Sequence, residues 1–176
     1  LHTDRHLDTA CNRPAGAGPQ AWGETNVGLF QSSAFEYRTP EELEAVFAGK
    51  APGFIYSRIN NPTVLAFERQ IAALEGGAGA VACSSGMAAI TLTLLALVQS
   101  GETVVASRSL FGGTHSLLTE TLARYGIRTR FFDPTAPASL KAVLGSDVKA
   151  VFTESIGNPR LDISDIPVIA ATVHAW

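Results

Sequence analysis

The chain has 176 residues, 46% of them hydrophobic and 16% charged, which is typical of a globular protein with a buried core. Its 13 basic and 16 acidic residues leave a net charge of −3, which excludes the strongly basic surface of a nucleic-acid-binding protein. Two cysteines do not make a disulfide framework and suit a reducing compartment, and the longest apolar run, residues 87–98, is too short to cross a membrane.

The N-terminal part of the chain carries few regular signals. Residues 1–38 are rich in Gly, Pro, Asn and Ser, which predicts an extended arm with one short strand near residues 29–35. A helix is expected to begin at Pro40, because Thr39 can cap its N-terminus and proline is tolerated at the first helical position. Residues 49–57 break this helix and are expected to form a loop.

From Asn61 onward, predicted helices and strands alternate. A helix begins at Asn61-Pro62 and ends at Gly76-Gly77. It is followed by strand 80–83, helix 86–99, strand 103–107, helix 114–125, strand 127–132, helix 138–144, strand 149–153 and a helix from 165 to the end. The strands are continuously apolar, which is typical of a parallel sheet covered on both faces. The helix over residues 86–99 is apolar nearly all round, which predicts burial on most of its sides.

Three of the predicted strand-to-helix turns carry residues suited to ligand binding. Residues 84–87 (Ser-Ser-Gly-Met) open a helix directly after a strand, where backbone N–H groups bind anions such as phosphate. Phe111, Glu154 and Asn158 follow the carboxyl ends of two later strands, where open α/β sheets place their ligands. Structural alternatives are a capping role for Ser84, a packing role for Phe111 and an ordinary turn at Asn158. The shared sheet edge favours one common pocket.

A fourth candidate lies earlier, in the loop before the second helix. Tyr56 and Arg58 can jointly bind a phosphate, through a hydroxyl and a planar guanidinium. The alternative, favoured on the loop alone, is a surface position at which Arg58 pairs with an acid. No metal site is predicted, because His115 and His174 have no second ligand at metal spacing.

Four motifs, taken in order, resemble the Cys/Met-metabolism family of pyridoxal-phosphate (PLP) enzymes. They are Tyr-Ser-Arg-x-Asn-Asn-Pro-Thr at 56–63, Ser-Gly-Met-Ala-Ala-Ile at 85–90, Leu-Phe-Gly-Gly-Thr at 110–114 and Glu-Ser-Ile-Gly-Asn-Pro at 154–159. The family includes cystathionine γ-synthase, cystathionine lyases, methionine γ-lyase and the O-acylhomoserine sulfhydrylases, and the last motif is most similar to the O-acetylhomoserine sulfhydrylases. The resemblance covers residues 25–175. It implies the α/β fold of fold-type-I PLP-dependent transferases, with an N-terminal arm over 1–60 and the first part of the parallel-sheet large domain over 61–176.

The resemblance also assigns every candidate residue to the same cofactor, pyridoxal 5′-phosphate. Ser85, Gly86 and Met87 would hold its phosphate, and Phe111 would stack on its pyridine ring. Asn158 would lie near its phenolic oxygen, and Glu154, also counted among the cofactor-binding residues, would support that region. Tyr56 and Arg58 would reach the phosphate of a neighbouring subunit's cofactor. The resemblance therefore implies a homo-oligomer, a dimer of dimers, and a cytoplasmic enzyme with no nucleic-acid or membrane partner.

The implied reaction is a γ-replacement on O-acetylhomoserine, in which sulfide or methanethiol displaces acetate to give homocysteine or methionine. Most lyases of the family carry Tyr in place of Phe111, so Phe111 favours the sulfhydrylase branch over the alternatives, a cystathionine γ-synthase or a γ-lyase.

The family's other catalytic groups have no match in the chain. They are an aspartate at the pyridine nitrogen, a Schiff-base lysine and a carboxylate-binding arginine. None of Lys50, Lys141 and Lys149 occupies the lysine's sequence context. We therefore expect the chain to be the first part of a longer enzyme, truncated before the Schiff-base lysine and inactive by itself. An inactive phosphate-binding or oligomerising fragment is the alternative from another class.

Overall fold

The computed structural model describes Cys11 and residues 26–176, which divide into two units after Ala82. In the first unit, helix α1 (Pro40–Phe47) begins where the Thr39 hydroxyl accepts the Glu42 N–H at 3.2 Å. Helix α2 (Pro62–Glu75) begins where Asn61 Oδ1 accepts the Thr63 N–H at 2.9 Å, and it ends at Gly76 with φ +63°. The capping signals therefore predicted both helices.

Residues 26–39, the described segment before α1, form no regular strand and are held by side-chain hydrogen bonds and by two backbone bonds, from Phe35 to Ile55 and from Ser57 to Ser33. The predicted strand near residues 29–35 is wrong, because only Ala34 pairs, in an isolated antiparallel bridge with Tyr56. Asn61, which is buried, donates from Nδ2 to the Phe30 carbonyl at 2.9 Å. An extended segment becomes a strand only when a neighbour supplies a ladder of hydrogen bonds, and here buried amide contacts take that place.

Three parallel strands form the centre of the second unit. They are β1 (Thr103–Ser107), β2 (Arg128–Phe132) and β3 (Val148–Phe152), in the order β2-β1-β3. Register pairs Thr103 with Arg128 in β2 and with Val148 in β3. Every residue of β1 is buried, since the strand has a neighbour on each edge. The expected α/β class with a parallel sheet is confirmed.

Helices pack on both faces of this sheet. They are α3 (Gly86–Leu97), α4 (Gly112–Ser116), α5 (Leu122–Arg124), α6 (Ala138–Lys141) and α7 (Ile166–His174). Alternate residues of β1 supply two cores: Val104 and Ala106 pack with Leu94 and Leu122, whereas Val105 packs with residues of β2, α6 and α7. Period-two alternation thus buries both faces, as the continuously apolar strands predicted.

The helix predicted over residues 114–125 contains an irregular turn. Residues Leu117–Thr121 form a π-helical turn that joins α4 to α5, and the Leu122 N–H bonds to the Leu117 carbonyl. The Thr129 hydroxyl of β2 donates to the Leu118 carbonyl in this turn at 3.2 Å. Gly126, with φ +76°, ends the helical segment where the sequence predicted.

Two predictions about the region of residues 80–99 are wrong. Residues 80–83 form no strand: Val81 is 84% exposed, and the Ala82 N–H donates to Glu68 Oε1 at 2.8 Å instead of to a neighbouring strand. Helix α3 is not buried on most sides. Only its Leu94 is buried, whereas three other leucines are exposed, Leu92, Leu95 and Leu97, because within the described residues the sheet covers one face of the helix. No helix in the described part of the chain has the length and apolar character to cross a membrane.

Candidate functional site

The N-terminus of α3 leaves room for an anion. Ser85 is the N-cap residue, and its hydroxyl accepts the Ala88 N–H at 3.0 Å, so Ser85 and not Ser84 has the capping role. The first N–H groups of a helix lack intrahelical acceptors, and the helix dipole adds positive potential at this end. A Cβ placed on exposed Gly86 would meet no atom within 4 Å, which means that the space beside the first turn is open. This geometry suits a phosphate.

Phe111 lies beside this helix end, in the turn between β1 and α4. Its side chain is 49% exposed, whereas the preceding Leu110 is buried. The ring packs over Gly113, where an added Cβ would lie 2.6 Å from ring atom Cε1 and 3.4 Å from the Met87 sulfur. Met87 belongs to the first turn of α3 and also contacts Thr114, with its sulfur 3.8 Å from the hydroxyl oxygen. An exposed flat ring and a helix N-terminus therefore share one end of the sheet.

Glu154 ties this turn to the end of β3. Both oxygens of its carboxylate accept the backbone N–H of Phe111, at 3.0 and 3.1 Å. The sequence predicted that the two residues share a sheet edge, and the structure places them in direct contact. The contact is to the backbone of Phe111, a partner that sequence reasoning did not identify.

Asn158 lies in a loop that folds back after β3. The Gly157 N–H donates to the Asp162 carbonyl at 2.8 Å, and Ile156 pairs with Ile163 in an antiparallel bridge. Asn158 itself is exposed and precedes Pro159 through a cis peptide bond.

The same loop is fastened to the residues that follow β1. The hydroxyl of buried Ser109 donates to Asp162 Oδ2 at 2.9 Å, and Gly157 packs so closely on Ser109 that a Cβ would overlap the hydroxyl. The stretch similar to the sulfhydrylases begins at Ser109, and the motif that begins at Glu154 extends to Asp162, but the sequence did not predict a site role for either residue. Asp162 does follow Asn158 at a short interval, but the interval does not reveal its partner.

Tyr56 and Arg58 lie in the first unit, in the turn between α1 and α2. The Arg58 guanidinium carbon is 5.3 Å from the centroid of the exposed Tyr56 ring, a cation–π contact. Among the described residues no acid pairs with Arg58, so the alternative of an ordinary surface ion pair is not observed. Asn61 donates to the Ser57 hydroxyl at 2.9 Å and thereby holds the turn between these two side chains.

The opposite edge of the sheet, where its strands begin, carries a network of charges. Asp147 accepts hydrogen bonds from the Thr103 hydroxyl at 2.7 Å, from Arg130 at 2.8 Å and from Arg128 at 3.1 Å. The bond from Thr103, followed by the bond and charge of Arg130, lowers the pKa of Asp147. Lys149 belongs to this edge too, with its Nζ 4.0 Å from Glu102. Lys149 is therefore placed away from Phe111 and Glu154.

Comparison with known proteins identifies relatives over nearly the whole chain. The model of a family described as Cys/Met metabolism PLP-dependent enzyme matches residues 9–176. A homocysteine synthase of Schizosaccharomyces pombe is 40% identical over 162 residues, covering 92% of this chain and 38% of the relative. An O-acetyl-L-homoserine sulfhydrylase of Corynebacterium glutamicum is 43% identical over 150 residues, covering 85% of this chain and 34% of the relative. The chain thus spans less than half the length of these relatives.

A solved structure shares the fold. The crystal structure of a protein assigned as an O-acetylhomoserine (thiol)-lyase from Campylobacter jejuni superposes with a TM-score of 0.89 at 32% identity. It covers 98% of this chain, which covers 42% of that protein, and it contains a pyridoxyl-lysine 5′-monophosphate. The expected fold-type-I architecture is confirmed by this likeness.

Proposed function

Because the chain belongs to the Cys/Met metabolism family of PLP-dependent enzymes, we propose that its second unit holds pyridoxal 5′-phosphate beside α3 and Phe111. The observation that carries the proposal is the 3.8 Å contact between Met87, in the first turn of α3, and Thr114, which directly follows the Phe111–Gly113 turn. This contact puts anion-binding N–H groups next to an exposed aromatic face. A ligand made of a phosphate and a flat ring needs these two surfaces side by side.

The described residues divide the binding task among them. The N–H groups of the first turn of α3, at Ser85, Gly86 and Met87, bind the phosphate, and the Phe111 ring stacks on the pyridine. The side-chain amide of Asn158 donates to the phenolic oxygen. PLP, when bound, supplies an electron sink for charge that develops on the substrate. The chain's own share is to bind and orient, because Phe111 has no hydroxyl with which to move a proton.

Tyr56 and Arg58 bind the phosphate of a neighbouring subunit's cofactor in this proposal, within a homo-oligomer that is a dimer of dimers. Support comes from the absence of an acidic partner for Arg58 in the described residues and from the exposure of both side chains. Mixing Arg58→Ala subunits with subunits that lack the cofactor-binding lysine tests this assignment. Activity recovered in the mixed oligomers supports it, because an intact Arg58 then meets an intact lysine across the interface; no recovery overturns it.

For the whole protein we propose γ-replacement on O-acetylhomoserine, with sulfide or methanethiol as nucleophile and acetate as leaving group. The relatives named homocysteine synthase and O-acetyl-L-homoserine sulfhydrylase support this choice. The enzyme would work in the cytoplasm, a location consistent with the unpaired state of Cys11 and Cys83.

The reaction is tested by incubating the whole protein with O-acetylhomoserine and sulfide. We expect homocysteine and acetate in equal amounts. The keto acid from γ-elimination as the main product would identify a γ-lyase, and a requirement for cysteine as nucleophile would identify a cystathionine γ-synthase. Protein freed of PLP by hydroxylamine treatment and dialysis is the matched control, and activity that persists there without added PLP would contradict the cofactor assignment.

A further inference from the structure

The contact between Glu154 and Phe111 joins two loops that are 43 residues apart in sequence. Both carboxylate oxygens point at a single N–H, at 3.0 and 3.1 Å. Hydrogen bonds to an ionised acceptor are roughly twice as strong as neutral ones. The backbone of Phe111 is therefore held firmly, although its side chain is half exposed.

The position of the Phe111 ring is also restricted by α4, the helix that follows it. Phe111 occupies the N-cap position of α4, where its carbonyl accepts the His115 N–H at 3.0 Å and its own N–H donates to Glu154. Below the ring, Gly113 leaves no room for a Cβ, which would come within 2.6 Å of the ring. With the backbone fixed and the ring resting on Gly113, the ring faces one direction before any ligand arrives. Such preorganisation removes the cost of ordering the ring when a ligand binds.

We infer that Glu154 is a positioning residue, which sets the orientation of the Phe111 ring through its backbone and does not itself contact the cofactor; this inference rests on the proposed function. Both Glu154 oxygens are already used by Phe111. A carboxylate would in addition repel the phosphate and the phenolic oxygen of PLP, since like charges close together are unfavourable. The resemblance implies that Glu154 supports the region of the phenolic oxygen, and this inference names the Phe111 backbone as the group that it supports.

The first measurement needs no cofactor. Hydrogen exchange of the Phe111 amide is followed by mass spectrometry with single-residue fragmentation in the whole apoprotein. Glu154→Ala is expected to accelerate this exchange roughly tenfold or more, because the amide loses a charged acceptor. Glu154→Gln keeps one neutral acceptor and should give an intermediate rate, which preserves the test if the alanine variant folds poorly. Glu120→Ala, which removes an exposed carboxylate elsewhere in the unit, is the control and should change nothing. Exchange in both Glu154 variants within twofold of the parent would overturn the inference.

The second measurement asks whether Glu154 acts through the ring. PLP is titrated into the apoprotein with and without Glu154→Ala, in the Phe111 parent and in the Phe111→Ala variant. We expect Glu154→Ala to weaken PLP binding about fivefold in the parent and less than about twofold when the ring is absent, the pattern of two coupled residues. An equal loss in both backgrounds would mean that Glu154 acts on PLP binding independently of the Phe111 ring, which overturns the inference.

The two measurements separate this inference from the proposed function. If Phe111→Ala weakens PLP binding but the exchange rate does not respond to Glu154, the inference fails and the proposed site stands. If Phe111→Ala leaves the PLP affinity unchanged, the proposed site fails. The positioning role of Glu154 then fails too, even if the exchange rate of the Phe111 amide responds to Glu154.

Discussion

At the edge of the parallel sheet where its strands begin, charged side chains bond to one another. At the edge where the strands end, the acidic side chains bond mainly to a backbone N–H and to a hydroxyl. At the first edge Asp147 is bonded to Arg128 and Arg130. At the second edge Glu154 accepts from the Phe111 N–H, and Asp162 accepts from Ser109 while also pairing with exposed Arg160.

We propose that the first edge stabilises the fold and that the second edge binds the cofactor. The groups at the edge with Asp147 satisfy one another, so we expect them to act on folding and not on a ligand, and to a modest extent because both arginines are exposed. At the other edge the acids position loops, while the Phe111 ring and the first turn of α3 stay open to solvent. Changes at the second edge should therefore alter cofactor binding, and changes at the first should alter stability alone.

The largest effect is expected from Gly157→Ala. Its Cβ would overlap the Ser109 hydroxyl and lie 2.7 Å from the Ser109 carbonyl oxygen, so the loop that carries Asn158 must move. Overpacking of this kind costs about 1–3 kcal/mol of folding free energy. Thermal unfolding measures it, with Gly112→Ala as control, because a Cβ there meets nothing within 4 Å. Equal melting temperatures for the two variants would show that the loop is not fastened to Ser109.

Phe111→Ala should weaken PLP binding about tenfold. Stacked rings contribute about 0.5–1.5 kcal/mol, and 1.4 kcal/mol corresponds to a factor of ten in the dissociation constant. Phe111→Tyr is the matched control and should keep the affinity, because it keeps the stacking face. PLP titration at a temperature where all forms are folded gives the comparison. If Ala lowers the melting temperature but leaves PLP affinity unchanged, the ring is a packing residue and the contrast between the edges weakens.

Asp147→Asn should lower stability at neutral pH and leave PLP affinity unchanged. The pKa of Asp147 is lowered in the folded protein, chiefly by the Thr103 hydroxyl, so the ionised carboxylate stabilises the fold above its unfolded pKa of about 3.9. This stabilisation is lost as the pH falls through the lower, folded pKa. The difference in melting temperature between parent and variant should therefore be present at pH 7 and shrink on strong acidification. A constant difference would assign the effect to packing, and Glu120→Gln controls for the loss of an exposed charge.

The smallest expected effect is the absence of a covalent PLP adduct. Borohydride reduction of this 176-residue chain after incubation with PLP should give no stoichiometric adduct on Lys50, Lys141 or Lys149. Lys149 is paired with Glu102 at the edge opposite Phe111, and none of the three has the family's sequence context. Peptide mapping checks this. A single complete adduct at Lys149 would break the division between the two edges.

Local chemistry explains which parts of the fold could be predicted. Thr39 and Asn61 each cap a helix within three residues of themselves, and Gly126 ends one through its own backbone angle. Such signals need no distant partner. The strand predicted at residues 80–83 required a partner strand from elsewhere in the chain. The burial predicted for α3 depended on which elements surround the helix, and apolar periodicity does not reveal these elements.

The candidate site shows the same limit. The sequence motifs identified Phe111, Glu154 and Asn158 as candidates, and the predicted strands placed them at one edge of the sheet, where the strands end. The bonds that organise that edge join residues 43 and 53 positions apart, Glu154 to Phe111 and Ser109 to Asp162. Neither periodicity nor spacing specifies such pairs, because each depends on how β1 and β3 come to lie side by side.

The π-helical turn between α4 and α5 has a consequence for comparing related chains. A π turn closes its hydrogen bond over five residues where an α-helix uses four, so Leu117–Thr121 holds one residue more than the α-helical path requires. A relative whose helix is α throughout should therefore align with a one-residue gap here, without displacement of the strands on either side. An alignment that moves the gap into β2 would assign another residue to the position of Thr129, which bonds to the Leu118 carbonyl, and would exchange the residues that face the two cores.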